Sequence, residues 1–454
     1  MQRRLADLVP WDFSWQKVKG FLHHFNLVDH LFAVIVLSVV VPLRFYWKRV
    51  KGAANSQSSY SKGAVTVQGA VTVSMIYDSV RIATGRVDAA YDYIVKLDQS
   101  LNSTQKSRSR IRLVPESLQP GNTASREDSH AWKLKNALKR AREIAKEDSQ
   151  IVHIHYTVGA YKPGLAIYFV PLLIRFFSPR PRVVITYHQF TEHKPSSFLF
   201  RSLLLLLCLS VDGYIFLRTD HSRAFVFWET FLNKNYTFIP SPSNLECKEL
   251  APDSECPEPS RRSIPDSVVN LSHFGTIRQG KGLEILIRAF AAIHERYPAK
   301  KLILAGAVDD SYHRKLMGRI SACDPTGSLT EALVFTGQLA PDKLYRTLLG
   351  TVVVLPFPDG ASTYRSSLMA ALGMGLTVIT TMGNHTPELF EDGKNCFLAR
   401  CGSWEDLAAA MDRVLSLQAS DRERVGMEGY RLYTSSFSWS KCLSRHLAFY
   451  RNIL

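Results

Sequence analysis

At 454 residues the chain is too long for one ordinary hydrophobic core, so two domains with additional segments are expected. Hydrophobic residues at 46% and charged residues at 21% are the proportions of a folded soluble protein and exclude a disordered chain. A formal net charge of +16 favours an anionic partner; without zinc-type cysteine spacing or a basic stretch interleaved with aromatics, nucleic acid is set aside.

The first informative segment is residues 31–43, LFAVIVLSVVVPL, which carries no charge. Arg44, Phe45, Tyr46 and Trp47 follow, then Lys48, Arg49 and Lys51. The run is short of the roughly 20 residues of a spanning helix, so it reads as a tilted signal anchor, an interfacial helix or a buried helix. Its basic cluster comes after the apolar run, which fits a cleaved signal peptide poorly and, by the positive-inside rule, puts the rest of the chain in the cytoplasm. Residues 1–62 are therefore expected to form an extension that ends in a polar linker. The expected location is the cytoplasmic face of the membrane, peripheral or single-pass anchored, with an anionic membrane surface as partner.

From residue 63 the chain alternates β-branched runs with helical patterns. Strands are predicted at 70–77, 111–116, 151–156, 182–188, 213–218 and 236–240, with the clearest helical patterns at 130–147 and 196–210. A stretch rich in proline, serine and charge (241–267) interrupts the rhythm as an interdomain linker. Alternation restarts with strands at 268–275, 301–307, 332–338, 351–357, 376–381 and 395–399, and the chain closes on an amphipathic helix. This predicts an α/β protein of two doubly wound, Rossmann-like domains facing across a cleft. The expected division is 63–262 and 263–436, with 437–454 crossing back to the first domain. Seven scattered cysteines suit a reduced protein, although Cys247 with Cys256, and Cys396 with Cys401, could close small loops.

In open parallel sheets ligands bind beyond the carboxyl ends of the strands, so chemistry is sought there. The loop FGTIRQGKG carries Gly275, Arg278 and Lys281 just before a helix, an arrangement that suits a diphosphate or, equally, a solvated basic turn. KLILAGA ends in small residues around Gly306 that allow close approach of a backbone or ligand. In PFPDGASTYRSSLMAALGMG, Asp359-Gly360 turn the chain, Ser362 and Thr363 can cap the next helix, and Ser366-Ser367 lie at its start beside Arg365. An anionic group is expected at that helix N-terminus. Thr381 and Gly383 sit at a further strand end, and Pro387-Glu388 open a short helix.

The order of FGTIRQGKG, KLILAGA, LVFTGQLAPDKLYRTL, LPFPDG, LMAALGMGLTVITT, GNHTPEL and EDGKNCFL resembles the glycosyltransferase family 4 group, over about residues 268–450. The first half resembles it more weakly, through VHIHY, VVITYHQF and VDGYIFLR. The resemblance implies a GT-B fold and retaining transfer (EC 2.4, hexosyltransferase type) of a sugar from a nucleotide-diphosphate sugar to a saccharide or lipid-linked acceptor. That chemistry serves polysaccharide or glycolipid synthesis. It also implies that Arg278, Lys281, Arg365 and Ser366 hold the donor diphosphate, and that Gly275, Gly306, Gly360, Ser362, Thr381, Gly383 and Glu388 line the nucleotide and sugar. His188 and Asp359 are the catalytic candidates, His188 reading as well as a turn histidine bonded to backbone. No metal and no cofactor besides the sugar donor are implied. The sequence departs from the family at its paired glutamates: Ala370 stands at the second, and the first falls at Ser362, or at Asp359 if the loop has an insertion. Two other readings share the architecture: a catalytically silent binding subunit and a sugar-nucleotide epimerase.

Overall fold

The computed structural model describes residues 70–78, 89–104, 107–114, 134–156, 166–188, 207, 210–217, 235–243, 245, 269–324, 326–384 and 386–454. The apolar segment 31–43 and most of the expected helix at 196–210 and linker at 241–267 lie outside them.

The first half runs β1 (Val71–Asp78), α1 (Ala89–Asn102), β2 (Ser107–Val114), α2 (Leu134–Ala145), β3 (Ile151–Tyr156), α3 (Val170–Phe177), β4 (Arg182–Tyr187), β5 (Gly213–Phe216) and β6 (Asn235–Phe238). Its six strands form a parallel sheet in the order β2-β1-β3-β4-β5-β6. The IVHIHY and RVVITY strands are buried from end to end apart from Arg182, as expected when helices cover both faces.

The second half runs β7 (Asn270–Phe274), α4 (Leu283–His294), β8 (Leu302–Ala305), α5 (Asp310–Cys323), α6 (Ser328–Ala332), β9 (Leu333–Gly337), α7 (Pro341–Leu348), β10 (Thr351–Leu355), α8 (Ser366–Gly373), β11 (Val378–Met382) and β12 (Phe397–Arg400). Three helices close the chain: α9 (Trp404–Ser416), α10 (Ala419–Ser436) and α11 (Trp439–Ile453). The second sheet is also parallel, in the order β12-β11-β10-β7-β8-β9. Every strand read from the sequence is present. The largest displacement is β2, which starts at Ser107 and not at residue 111. Its Ser-Arg-Ser-Arg start looks unlike a strand, but β2 is an edge strand, and a half-exposed edge tolerates charged side chains.

The last helix, α11, leaves the second half and packs into the core of the first, burying Cys442, Leu447, Phe449, Tyr450 and Ile453 among the side chains of β1, β3 and α1. Tyr450 Oη and His153 Nδ1 are 2.7 Å apart, and His153 Nε2 meets Thr186 Oγ1 at 2.7 Å. A second junction lies at the strand ends. Thr363 Oγ1 donates to the Leu217 carbonyl beyond β5 at 2.9 Å, the Ser241 amide donates to the Thr363 carbonyl at 3.2 Å, and Tyr364 packs on the first core. The loop that follows β10 therefore touches the carboxyl edge of the first sheet.

Candidate active site

Read from its other edge, the second sheet has the order 3-2-1-4-5-6 of the Rossmann arrangement, so its topological switch point falls between β7 and β10. His273 bridges that gap: a carbonyl can only accept, so its Nδ1–H donates to the Val354 carbonyl at 2.9 Å. The His273 pKa is lowered to about 4, chiefly by burial; the Val354 bond opposes this, and the nearby Lys281 ammonium adds a smaller lowering. His273 is thus a neutral strut beneath Lys281. It was missed in the sequence, where the only signal is one polar ring near the end of the apolar run VVNLSHFG.

The β7–α4 loop is held at three places. Ile277 pairs with the loop after β8, its amide donating to the Ala307 carbonyl at 2.8 Å. A Cβ on Gly306 would lie 1.8 Å from the Gly275 carbonyl oxygen, and one on Gly282 would lie 1.9 Å from the Pro356 carbonyl oxygen. Between these contacts Arg278 is exposed and Lys281 half-buried, at the N-terminus of α4, which no side chain caps. Gly282 and Gly280 share a left-handed backbone (φ 76° and 80°), but a Cβ on Gly280 meets nothing within 4 Å. Gly280→Ala is expected to destabilise by about 1 kcal/mol and Gly282→Ala by about 3 kcal/mol or more, because only the latter adds a backbone collision to the strain. Urea unfolding of the two variants checks this, and equal midpoints would show that the Gly282–Pro356 approach is not tight.

The β10–α8 loop corrects one expectation. Neither Ser362 nor Thr363 caps α8; the N-cap is Arg365, with no side-chain cap bond, and the helix begins at Ser366. Thr363 is instead committed to Leu217 and Ser241, and the Ser362 carbonyl accepts from the Arg365 amide at 3.2 Å. The first-turn amides at the N-terminus of α8 are therefore left for another acceptor. The Arg365 guanidinium lies 4.7 Å from the Phe357 ring centre and 4.9 Å from that of Tyr364, and it donates through Nη2 to Asp359. Arg365 Nε and Ser362 Oγ are both buried without a hydrogen-bond partner. Two orphaned polar atoms in one turn call for an occupant, since buried donors are nearly always satisfied. Ala370 lies one turn into α8 and is fully packed among Leu348, Val353, Leu368 and Leu372.

Gly360 and Gly383 interlock the ends of β10 and β11: a Cβ on Gly383 would lie 2.4 Å from the Asp359 carbonyl oxygen. Thr381 is buried and donates through Oγ1 to the Phe357 carbonyl at 2.6 Å, so it shapes the loop and does not face outward. Glu388 is exposed in a turn, and the short helix expected at Pro387-Glu388 is absent there.

His188 belongs to the first half and follows β4. Its amide donates to the Tyr156 carbonyl at 3.0 Å, its Nε2 lies 3.0 Å from His155 Nδ1, and its ring meets the edge of Tyr93 at 5.4 Å. The ring is buried against His155 and Tyr93. Among the described residues, Arg278, Lys281, Asp359, Ser362, Arg365 and Ser366 gather along the carboxyl edge of the second sheet. His188 stands at the corresponding edge of the first. Cys396 and Cys401 are free thiols and not a bridge, and burial pushes the Cys396 pKa up to about 12. Among the described residues no group of three or more His, Cys, Asp or Glu is arranged to hold a metal ion.

Residues 269–417, the second sheet and the helices around it, match the family described as Glycosyl transferases group 1. No curated protein matches the sequence. Among solved structures, a glycosyltransferase from Rickettsia africae superposes with a TM-score of 0.59 at 15% identity, covering 85% of this chain and 98% of that one. Sucrose-phosphate synthase from Thermosynechococcus elongatus gives 0.60 at 16% identity, covering 84% and 99%. Anabaena HepE, in complex with UDP and glucose, gives 0.56 at 14% identity, covering 83% and 98%. The chain therefore has the GT-B fold, and residues 269–417 in its second half match the glycosyl transferases group 1 family.

Proposed function

We propose that the protein is a divergent family 4-like glycosyltransferase that moves a sugar, with retention, from a nucleotide-diphosphate sugar to a saccharide or lipid-linked acceptor at the cytoplasmic face of a membrane. The observation that carries the donor reading is the meeting of two cationic elements at one short stretch. Gly282, beside Lys281, abuts Pro356, while Arg365 lies on Phe357 at the uncapped start of α8. A pyrophosphate placed over Pro356-Phe357 would receive Arg278, Lys281 and the α8 amides, and would satisfy the orphaned Arg365 Nε.

As the sugar–phosphate bond breaks, charge grows on the leaving diphosphate, and fixed cations and amide dipoles stabilise it. The leaving phosphate takes the proton of the acceptor hydroxyl, so no separate base is needed on that face. HepE has been crystallised with UDP-glucose, and the shared fold supports a donor of that chemical class here. Asp359 is best placed to orient Arg365, and His188 to line the sugar from the first domain.

A silent binding subunit is the second reading, favoured by the packed, apolar surroundings of Ala370 where the family places a ribose-binding glutamate. Thermal-shift screening with UDP, GDP and ADP, and with their sugars, separates the readings. Stabilisation by one nucleotide at about 100 times its Kd corresponds to roughly 2.7 kcal/mol and is expected here. Stabilisation without release of free nucleotide diphosphate in the presence of saccharide acceptors selects the silent subunit. Absence of any shift sinks the donor site.

A further inference from the structure

We infer that the amino edge of the first sheet is a membrane-contact face for anionic lipid, built on Phe176 and Phe177 at the end of α3. Phe176 is 73% exposed and Phe177 38%, and their rings meet edge to face at 5.4 Å. The adjoining α2 packs beside α3 and exposes Leu138, Lys139 and Arg142. Lys146 and Arg180, just beyond the ends of the two helices, are exposed as well. Arg175 and Arg182 are paired with Asp212; among the described residues, α2 and the turn after it also carry Glu143, Glu147 and Asp148, of which Glu147 accepts from Ser74. Aromatic rings flanked by arginine and lysine are the chemistry of an interfacial anchor on negatively charged headgroups.

The parallel register decides which edge this is. Ile151 pairs with Val73 and with Arg182, so β1, β3 and β4 all start at the edge where α3 ends. The chain enters β1 at that same edge, with the sequence 1–69 before it, including the apolar run 31–43 and the cations Arg44, Lys48, Arg49 and Lys51. His188 and Leu217 stand at the opposite edge, and a strand of six residues spans about 20 Å. Docked through Phe176 and Phe177 with its strands along the bilayer normal, the protein would hold its strand-end loops about that far above the lipid surface. The acceptor it can reach is then a saccharide extended away from the bilayer, not a sugar at headgroup level. This deepens the membrane part of the proposed function and does not depend on the donor site.

The test is sedimentation of the full chain with vesicles of phosphatidylcholine containing phosphatidylserine, and with phosphatidylcholine alone, at low salt. The Phe176→Ser/Phe177→Ser variant is expected to bind the anionic vesicles at least about tenfold more weakly, with an unchanged melting temperature and nucleotide shift. Equal binding by variant and wild type overturns the assignment. So does a wild-type dimer that becomes monomeric in the variant, which would make the face a contact between copies. Equal binding to both vesicle types overturns the anionic preference. An intact vesicle result with no nucleotide shift in the wild type would sink the donor reading alone. A genetically encoded fluorescent residue at position 176 is expected to be quenched by brominated lipid, and the same probe at Met382, exposed at the carboxyl edge, is not; quenching at both positions overturns the orientation.

Discussion

Replacing Arg278 and Lys281 together by alanine is expected to lower kcat/KM for sugar transfer by about a thousandfold, most of it in kcat. Charge on the diphosphate is greatest as the glycosidic bond breaks, so fixed cations bind the transition state more strongly than the bound donor. Each preorganised donor of this kind contributes on the order of a hundredfold, and two acting on one pyrophosphate act partly as a unit. Arg278 is exposed and Lys281 half-buried, so their removal should leave the unfolding midpoint without ligand nearly unchanged. Steady-state kinetics with the nucleotide sugar found by thermal shift would check this. A change below about threefold, with normal nucleotide affinity, would place the reacting bond elsewhere.

The second large effect concerns pH and the clasp between α11 and the first sheet. His153, His155 and His446 are fully buried among Tyr93, Thr186, Cys442 and Tyr450, with His188 against His155. Burial holds the His153 and His155 pKa values well below the usual range and brings that of His446 to about 4. His446 donates through Nδ1–H to the Cys442 carbonyl at 2.9 Å and offers Nε2 to Tyr93 Oη at 3.3 Å, so both nitrogens are engaged in the neutral form. Folded pKa values below the unfolded one mean that the unfolded chain binds more protons. Stability is therefore complete above about pH 6.5 and falls as the pH drops toward 4. A shift of that size at His446 alone corresponds to roughly 3 kcal/mol lost across the window. Asp309 and Asp406, whose pKa values are lowered by hydrogen bonds and by Arg400 respectively, lose their contribution only below the ordinary carboxylate range. The prediction is a steep fall in unfolding free energy between pH 6.5 and 4, monitored by urea titration. It should become markedly shallower in His446→Gln and shallower still with His153→Gln added. Parallel curves for wild type and both variants would show that the cluster titrates normally.

The carboxyl-edge loops show where reading from sequence succeeds. The small residues around Gly306 are read from the sequence as permitting close approach, and a Cβ there would collide with the Gly275 carbonyl of the neighbouring loop. Arg278 and Lys281 were placed beside a helix start, and α4 begins at Leu283. Such features are local: a strand end, a small residue and a helix onset lie within a few positions of one another. Ser362 and Thr363 show where the reading fails. Their spacing from the helix suits capping, but Thr363 is taken by Leu217, some 146 positions away, and the Ser362 hydroxyl is left without a hydrogen-bond partner. Likewise nothing adjacent in sequence marks Asp359, Phe357 and Tyr364 as the three sides of an enclosure around Arg365.

Sequence alone determined the two alternating α/β halves, the twelve parallel strands and the concentration of glycine and cation at their carboxyl ends. Hydrophobic periodicity and glycine placement are properties of neighbouring residues. Sequence also indicated the return of the last helix to the first domain; only the tertiary structure decided which side chains of that core α11 meets and that His273 ties β7 to β10 beneath Lys281. It likewise decided that Phe176 and Phe177 face outward on the edge where the chain enters the sheet. Those outcomes depend on which strands become neighbours and on which side of a sheet a distant helix returns, and burial energy summed over the whole fold selects them.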